Sequence, residues 1–175
     1  MKPAYELDDL DRKILALLMD NAKRPYTELG NKLFVSGGTI HVRMNKLIAA
    51  GIVQGQTLVV DHGKLGYDVS AFLGIYLKGS GLYDQAAAYL RGIPEIVSAH
   101  YTTGVYSIFA RVVCTDTDHL REVLQRIQAF DGIQRTETFI SLEQTFERPV
   151  QVVSNEEMDE LRATDDPGAP DRRDT

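Results

Sequence analysis

Residues 36–51 hold the side chains whose types and spacing best fit contact with nucleic acid. Apolar residues recur there at helical spacing and predict a helix with one apolar stripe, which Ser36 is suited to cap at its N-terminus. The stripe comprises Ile40, Met44, Leu47 and Ile48. Gly51 favours a left-handed residue just after the end of this helix.

The surface opposite the stripe carries small side chains, hydrogen-bond donors and positive charge, with no carboxylate. A helix with such a surface can enter the major groove of DNA, where short side chains near its N-terminus reach the edges of the bases. The residues predicted to contact DNA are Ser36, Gly38, Thr39, His41, Val42, Arg43, Asn45 and Lys46. Taken alone, this surface fits the solvent-exposed face of an ordinary bundle helix equally well.

Two further short helices are predicted before this one. The first carries apolar residues at helical spacing over residues 7–18 and begins in an acidic run, which suits the positive end of a helix. Pro25 is typical of the start of the second. Three helices in this order predict a helix-turn-helix domain over residues 1–52. Phe34 stands in the turn, where a positive φ favours glycine, so we expect a distorted turn or a strained Phe34 costing about 1–3 kcal/mol.

Residues 67–150 alternate between strand and helix patterns in the order βαββαβ. This order predicts an α+β protein whose second domain is ferredoxin-like, a four-stranded antiparallel sheet with both helices on one face. The uncovered face is then aromatic, with Phe72, Tyr76, Phe109 and Phe139. A large uncovered apolar face usually marks an interface, which favours a homodimer formed through this sheet. Partial cover by the C-terminal tail is the alternative.

Two segments outside these domains have distinct compositions. Residues 53–66 are predicted as a connecting strand and linker, because the β-prone residues 57–60 precede Gly63 and Gly66. Residues 151–175 are predicted as a disordered acidic tail. From residue 154 onward this tail holds eight acidic residues and three arginines, with few large apolar side chains.

The composition of the 175 residues bounds the classes of function. The net charge is −6, yet residues 22–60 hold five basic residues and one acidic residue, so a local basic patch permits DNA binding. Cys114 is the single cysteine and the four histidines lack metal-ligand spacing, so no disulfide, metal or cofactor is expected. No apolar run is long enough to span a membrane, and the N-terminus is too acidic for a signal peptide, which favours a cytoplasmic protein.

Five stretches together resemble the Lrp/AsnC family of bacterial and archaeal transcription regulators. They read LDDLDRKILALLMDNA, VSGGTIHVRMNKLIAAGIV, LGYDV, YTTGVYSIF and IQRTETFISLE, and they span roughly residues 5–150. The resemblance implies a DNA-binding domain followed by an amino-acid-binding domain. It also implies dimers that assemble further, commonly to octamers, with the effector bound between dimers. The sequences of these stretches are most similar to those of asparagine-responsive members, although Phe34 and Val105 depart from their pattern.

The implied effector site can also be interpreted from its chemistry. A glycine-containing loop at residues 102–105 can direct backbone amides at a carboxylate, and nearby hydroxyls can both donate to and accept from a carboxamide. An uncharged Ser107 suits a neutral polar ligand. The residues predicted to bind the effector are Tyr101, Thr102, Thr103, Gly104, Val105, Tyr106, Ser107, Thr136 and Thr138. The plain alternative is a hairpin turn followed by ordinary strand threonines.

The sequence therefore predicts a regulator of amino-acid metabolism genes that binds double-stranded DNA and responds to a small amino acid, asparagine first. Two other classes stay open at this point. One is an architectural DNA-binding protein without an effector. The other is an enzyme, since some chains with this layout resemble haem-pathway decarboxylases, for which His100 and Arg111 are the nearest candidates to grip a tetrapyrrole.

Overall fold

The computed structural model describes residues 5–163, which form two compact units. Within these residues, one unit comprises residues 5–58 together with residues 147–163, and the other is Val59–Phe146. No helix within residues 5–163 is long and apolar enough to cross a membrane.

The first unit is built on three helices, α1 (Asp9–Asp20), α2 (Tyr26–Lys32) and α3 (Gly37–Ala49). Asp8 caps α1 and Ser36 caps α3, so one orphan amide at each N-terminus finds a side-chain acceptor. The core of the unit is aliphatic: Ile14, Leu15, Leu17, Leu18, Leu29, Ile40, Met44 and Leu47. These helices confirm the predicted helix-turn-helix arrangement, and Gly51 has the expected left-handed φ of 71°. Ile48 does not join the core, because its side chain is 53% exposed.

The second unit contains a four-stranded sheet and two helices. The elements are β1 (Val69–Leu77), α4 (Tyr83–Arg91), β2 (Ile96–Tyr101), β3 (Ile108–Cys114), α5 (Thr117–Gln128) and β4 (Ile133–Ile140). The strands lie in the order β2-β3-β1-β4 and every neighbouring pair is antiparallel. This is the predicted ferredoxin-like order.

One face of the sheet packs against both helices. Alternate residues of β1, including Leu73 and Ile75, are fully buried there with Leu90 of α4 and Val123 and Ile127 of α5. The N-terminus of α5 is capped by Asp116, whose side chain accepts from the His119 amide. The alternation of β1 therefore places its other residues on the opposite face, where the aromatic side chains lie.

The connecting segment contains no strand. Residues 53–62 have no regular secondary structure, and a short 3-10 helix follows at Gly63–Leu65. The predicted connecting strand is therefore absent from the single chain, because a β-prone run forms a strand only where another strand offers hydrogen bonds. Leu58 and Val59 are 76% and 99% exposed.

The acidic tail contains an ordered helix, α6 (Asn155–Ala163), so the prediction of disorder is wrong for these residues. The Ser154 hydroxyl accepts from the Glu157 amide, while the Glu157 carboxylate accepts from the Ser154 amide. Leu161, together with Val152 before the helix, packs against the core of the helix-turn-helix unit, and Arg162 pairs with Asp20 of α1 at 2.6 Å. The rest of the predicted tail, residues 164–175, lies outside the described residues.

Candidate DNA-binding and effector sites

The outward face of α3 is open and free of acidic side chains. Gly38, His41, Val42, Asn45 and Lys46 are all exposed, as predicted from their spacing. The side chains of His41 and Asn45, one turn apart, lie within hydrogen-bonding distance at 3.2 Å. This face presents amide, imidazole and ammonium groups beside an apolar Val42, a mixture that can contact base edges, thymine methyl groups and phosphates.

The N-terminus of α3 is fixed by its cap. The Ser36 hydroxyl accepts from the Thr39 amide at 3.0 Å and also lies 2.9 Å from the Thr39 hydroxyl. Thr39 is half-buried, whereas Ser36 is exposed. Both predicted residues thus lie at the end of α3 that would meet DNA first, and part of their hydrogen-bonding capacity holds the helix end in place.

Arg43 does not belong to this face. Its guanidinium forms ion pairs with Asp8 and Asp11, the latter at 3.2 Å, and the Asp11 side chain is fully buried. The hydroxyl of Tyr5 donates to the same Asp11 carboxylate at 2.9 Å. The pKa of Arg43 is raised, chiefly by its hydrogen bond to Asp8. This geometry disfavours Arg43 as a DNA contact, because a buried carboxylate needs a cationic partner and Arg43 serves as that partner.

The turn before α3 depends on a glycine that lies one helical turn earlier than the expected position. Gly30 is buried, and a Cβ there would stand 2.6 Å from the Val35 carbonyl oxygen, so α2 and the turn approach too closely for any side chain. The Val35 amide donates to the Gly30 carbonyl at 2.8 Å. Phe34, in contrast, adopts the left-handed conformation with φ 56° and is 96% exposed. Of the two expected outcomes, the turn is regular and Phe34 is strained.

The predicted effector loop connects β2 to β3 and exposes its backbone. Thr102 donates through its hydroxyl to the Tyr106 carbonyl, and the Thr102 amide donates to the Ser107 carbonyl at 3.2 Å. Among the described residues, the Thr103, Gly104 and Val105 amides donate to no backbone carbonyl. A short run of free amides can bind a carboxylate.

The conformation of this loop does not depend on Gly104. Its φ is not positive, and a Cβ added there would meet nothing within 4 Å. The loop backbone therefore does not require glycine. Ser107 is also partly engaged, because its hydroxyl accepts from the Leu77 amide at 3.3 Å and ties the loop to β1.

The structure divides the remaining predicted effector residues between the two faces of the sheet. Thr136 and Thr138 pair with Ile75 and Leu73 of β1 and so lie on the face that the helices cover. The Thr136 hydroxyl accepts from Gln128 of α5 at 2.8 Å. Tyr106 lies on the opposite face, so these two threonines and Tyr106 do not form one site.

A polar cluster that the sequence analysis missed lies on the open face. The Glu137 carboxylate accepts from the hydroxyls of Tyr106 at 2.8 Å and Tyr76 at 3.0 Å. Arg135 lies 3.9 Å above the Tyr76 ring and 3.2 Å from Glu137. The hydrogen bond from Tyr106, followed by that from Tyr76, lowers the pKa of Glu137. The alternation of β4 was the available signal, since it puts residues 135 and 137 on the face opposite Thr136.

Tyr106 reaches this cluster because β1 has a glycine beneath it. A Cβ on Gly74 would stand 2.3 Å from the Tyr106 ring, so the ring lies directly on the backbone of the strand. The aromatic rings continue along the same face, with Phe72 stacked on Phe109 at 5.8 Å and Tyr106 at 6.3 Å from Phe139. Phe72 and Phe139 are 37% and 47% exposed, so the predicted aromatic face is present.

A groove of about 260 Å³ runs between α4 and the edge strand β2. Polar residues that line it include Tyr83, Arg91, His100 and Tyr101, and the rings of Tyr83 and Tyr101 are 4.2 Å apart. Tyr101 is the only residue predicted for the effector that lines this groove. Arg111, the second candidate of the enzyme alternative, instead donates to Ser70 of β1 and to Gln144, which follows β4. No metal-binding cluster of three acidic, histidine or cysteine residues occurs among residues 5–163.

Both halves of the chain match known protein families. Residues 7–48 match the AsnC-type helix-turn-helix domain, and residues 70–151 match the Lrp/AsnC ligand-binding domain. The regulatory protein AsnC of Escherichia coli is 47% identical over 148 residues, which cover 84% of this chain and 97% of that protein. The chain belongs to the Lrp/AsnC family. Its members are transcriptional regulators, so this chain is a DNA-binding regulator with a ligand-binding domain and the enzyme alternative is rejected.

Further relatives and solved structures agree with this assignment. The regulatory protein AsnC of Haemophilus influenzae is 43% identical over 84% of this chain and 99% of that protein. The solved structure of Escherichia coli AsnC superposes with a TM-score of 0.80 at 46% identity and covers 84% of this chain and 99% of its own. The leucine response regulatory protein of Mycobacterium tuberculosis superposes with a TM-score of 0.76 at 26% identity, over 84% and 100%. This Lrp/AsnC chain thus shares the two-domain fold of its relatives.

Proposed function

We propose that α3 reads operator DNA and that a small neutral amino acid, asparagine first, regulates this reading through the loop at residues 102–107. The observation that carries the first half is the exposed, carboxylate-free face of α3 on a capped N-terminus. Lys46 is the cation of that face, since Arg43 is bound to two aspartates. Lys46 would therefore contact phosphate, while Thr39, His41, Val42 and Asn45 would face the bases.

Matched substitutions test this half. Loss of a phosphate contact weakens binding to all sequences and lowers the slope of log K against log salt by about one, so Lys46→Ala should do both. Thr39→Ala should instead relax sequence preference. Lys13→Ala is the control, because Lys13 lies on α1 and is paired with Asp9 at 2.7 Å. Fluorescence anisotropy with a duplex selected by the protein from a random library measures all three. If Lys46→Ala and Lys13→Ala behave alike, α3 is not the reader.

The free amides of Thr103, Gly104 and Val105 support the effector half. A free amino acid presents a carboxylate to such amides, and the nearby hydroxyls suit a carboxamide side chain, since they both donate and accept. Thr136 and Thr138 would not contact this ligand, because they lie on the face of the sheet that the helices cover. Tyr101 also lies on the helix-covered face, beside Tyr83, but it is retained because it is exposed and directly precedes the loop.

Assembly would connect the two sites. The aromatic face of the sheet supports a homodimer, because Phe72 and Phe139 leave apolar surface in water. We further infer that dimers associate to a higher oligomer, such as an octamer, and that the effector binds between dimers in the cytoplasm. A ligand shifts assembly only by its difference in affinity between the states. A coupling of about 1–3 kcal/mol would change operator affinity about 5- to 150-fold.

Calorimetry on the full chain tests the effector, with asparagine, aspartate, glutamine and lysine as ligands and sedimentation velocity in parallel. We expect asparagine to bind most tightly and to change the distribution of oligomers. Phe139→Asp should give monomers, since it places a charge within the interface while the exposed position tolerates it in a single chain. An unmodified protein that is monomeric, or that binds none of the four amino acids, would refute the corresponding half of the proposal.

A further inference from the structure

Phe34 has a conformation and an environment that both disfavour phenylalanine. Its φ of 56° lies in the left-handed region, which side chains with a Cβ adopt only at a cost. Its ring is 96% exposed and is absent from the hydrophobic core of the unit. Glycine would remove the strain and asparagine would reduce it, so neither the backbone nor the packing of this unit accounts for an aromatic ring here.

The turn itself is held by other residues. The Val35 amide donates to the Gly30 carbonyl at 2.8 Å, and the Phe34 amide reaches the Asn31 carbonyl at 3.4 Å. These bonds involve backbone atoms alone and would form with any residue except proline at position 34. Because the missing side chain at Gly30 allows the close approach of α2, the turn depends on position 30 and not on the ring of Phe34.

The position of Phe34 points to one partner. It lies two residues before Ser36, which caps the N-terminus of α3, and that end of a reading helix approaches the major groove most closely. An exposed ring at this place meets the apolar parts of DNA, which are the deoxyribose carbons and the methyl groups of thymine.

We propose that the ring of Phe34 is a DNA contact, packing against deoxyribose or a thymine methyl beside the N-terminus of α3. This inference rests on the proposed reading of DNA by α3. The strain at position 34 then destabilises the free protein, because it directs an apolar ring outward from the turn. Contact between the ring and DNA offsets this free-energy cost only in the complex.

The test compares Phe34→Gly with Phe34→Leu in the full chain. Phe34→Gly should raise the melting temperature by about 2–8 °C, because the strain is released, and should weaken operator binding about tenfold. The slope of log K against log salt should stay that of the parent, since no phosphate contact is lost. Phe34→Leu keeps an apolar side chain and should keep most of the affinity. Binding is measured by anisotropy on the duplex selected by the parent protein.

A second arm identifies the surface that the ring meets. Replacing thymine by uracil removes the methyl groups, so the parent should lose affinity while Phe34→Gly should not if the contact is to a methyl. An equal loss in both proteins assigns the ring to deoxyribose. Lys46→Ala, measured alongside, shows separately whether α3 reads DNA at all.

Two results would overturn the proposal. One is a Phe34→Gly protein that is more stable and binds DNA with the affinity of the parent. The other is an oligomeric state of Phe34→Gly that differs from that of the parent in sedimentation velocity without DNA. That result would mean that Phe34 contacts a second copy of the chain.

Discussion

Replacing Arg43 with methionine should lower the stability of the helix-turn-helix unit without removing a DNA contact. The substitution keeps the aliphatic bulk and deletes the cation that serves Asp8 and Asp11. The Asp11 carboxylate is fully buried, and its remaining donors are the Tyr5 hydroxyl at 2.9 Å and the Asp8 amide at 3.3 Å. One carboxylate oxygen would be left in the interior without a partner.

The size of the effect follows from the exposure of each partner. Removing one member of a buried ion pair costs about 3–5 kcal/mol, whereas an exposed pair is worth at most about 1 kcal/mol. Asp11 falls in the first class and Asp8, with half of its side chain exposed, in the second. Arg43 is itself 28% exposed, so water can reach part of the vacated site, and we expect a loss of about 3 kcal/mol.

Urea unfolding followed by circular dichroism at 222 nm measures this loss, with Asp11→Asn combined with Arg43→Met as the matched control. The double variant removes both the buried charge and its partner, so it should be more stable than Arg43→Met alone. Under conditions where Arg43→Met is folded, its operator affinity and salt slope should equal those of the parent. A variant with the urea midpoint of the parent and a weaker, less salt-dependent affinity would refute the argument and make Arg43 a phosphate contact.

Three further predictions concern other positions. Gly74→Ala should displace Tyr106, because the new Cβ would stand 2.3 Å from its ring, and urea unfolding should show a loss of about 1–3 kcal/mol. Gly104→Ala should unfold within about 0.5 kcal/mol of the parent, since the added Cβ meets open space, and weaker asparagine binding in calorimetry would then report contact with the ligand. The pKa of Asp8 is lowered from 3.8 by the Asp11 amide and by Arg43, so its contribution to stability is complete above about pH 4 and is lost as the pH falls through the lowered value. Asp8→Asn should therefore show a shallower loss of stability between pH 5 and pH 2 than the parent, measured by urea unfolding.

The features that depend on neighbours in sequence were predictable. Residues close in sequence determine the cap at Ser36, the left-handed conformation of Gly51 and the buried face of β1. The same holds for the strain at Phe34, which a tight turn imposes on whichever residue occupies that position. The βαββαβ order also follows from local patterns, because each helix is joined to the next strand by a short turn.

The features that depend on distant partners were not predictable from spacing. Arg43 has the position of a DNA contact on the α3 helix, yet Asp11, 32 residues away, determines its use. The segment 57–60 has the composition of a strand but pairs with no strand among residues 5–163. For α6, a local signal did exist, since Ser154 and Glu157 form a capping pair. The acidic composition of the segment favoured disorder over this signal. The ion pair that stabilises the helix is with Asp20 of α1, far away in the sequence.

The helix α6 makes the DNA-binding unit discontinuous along the chain. Arg162 meets Asp20 across 142 residues, and the whole ligand-binding unit lies between them in sequence. During synthesis the residues of the ligand-binding unit leave the ribosome before α6 does, so that unit can complete its sheet while the helix-turn-helix still lacks its last partner. The DNA-binding unit would thus be completed only after the ligand-binding unit has been synthesised, and a chain terminated before α6 could form the sheet through which we propose dimerisation while its own DNA-binding unit stays incomplete.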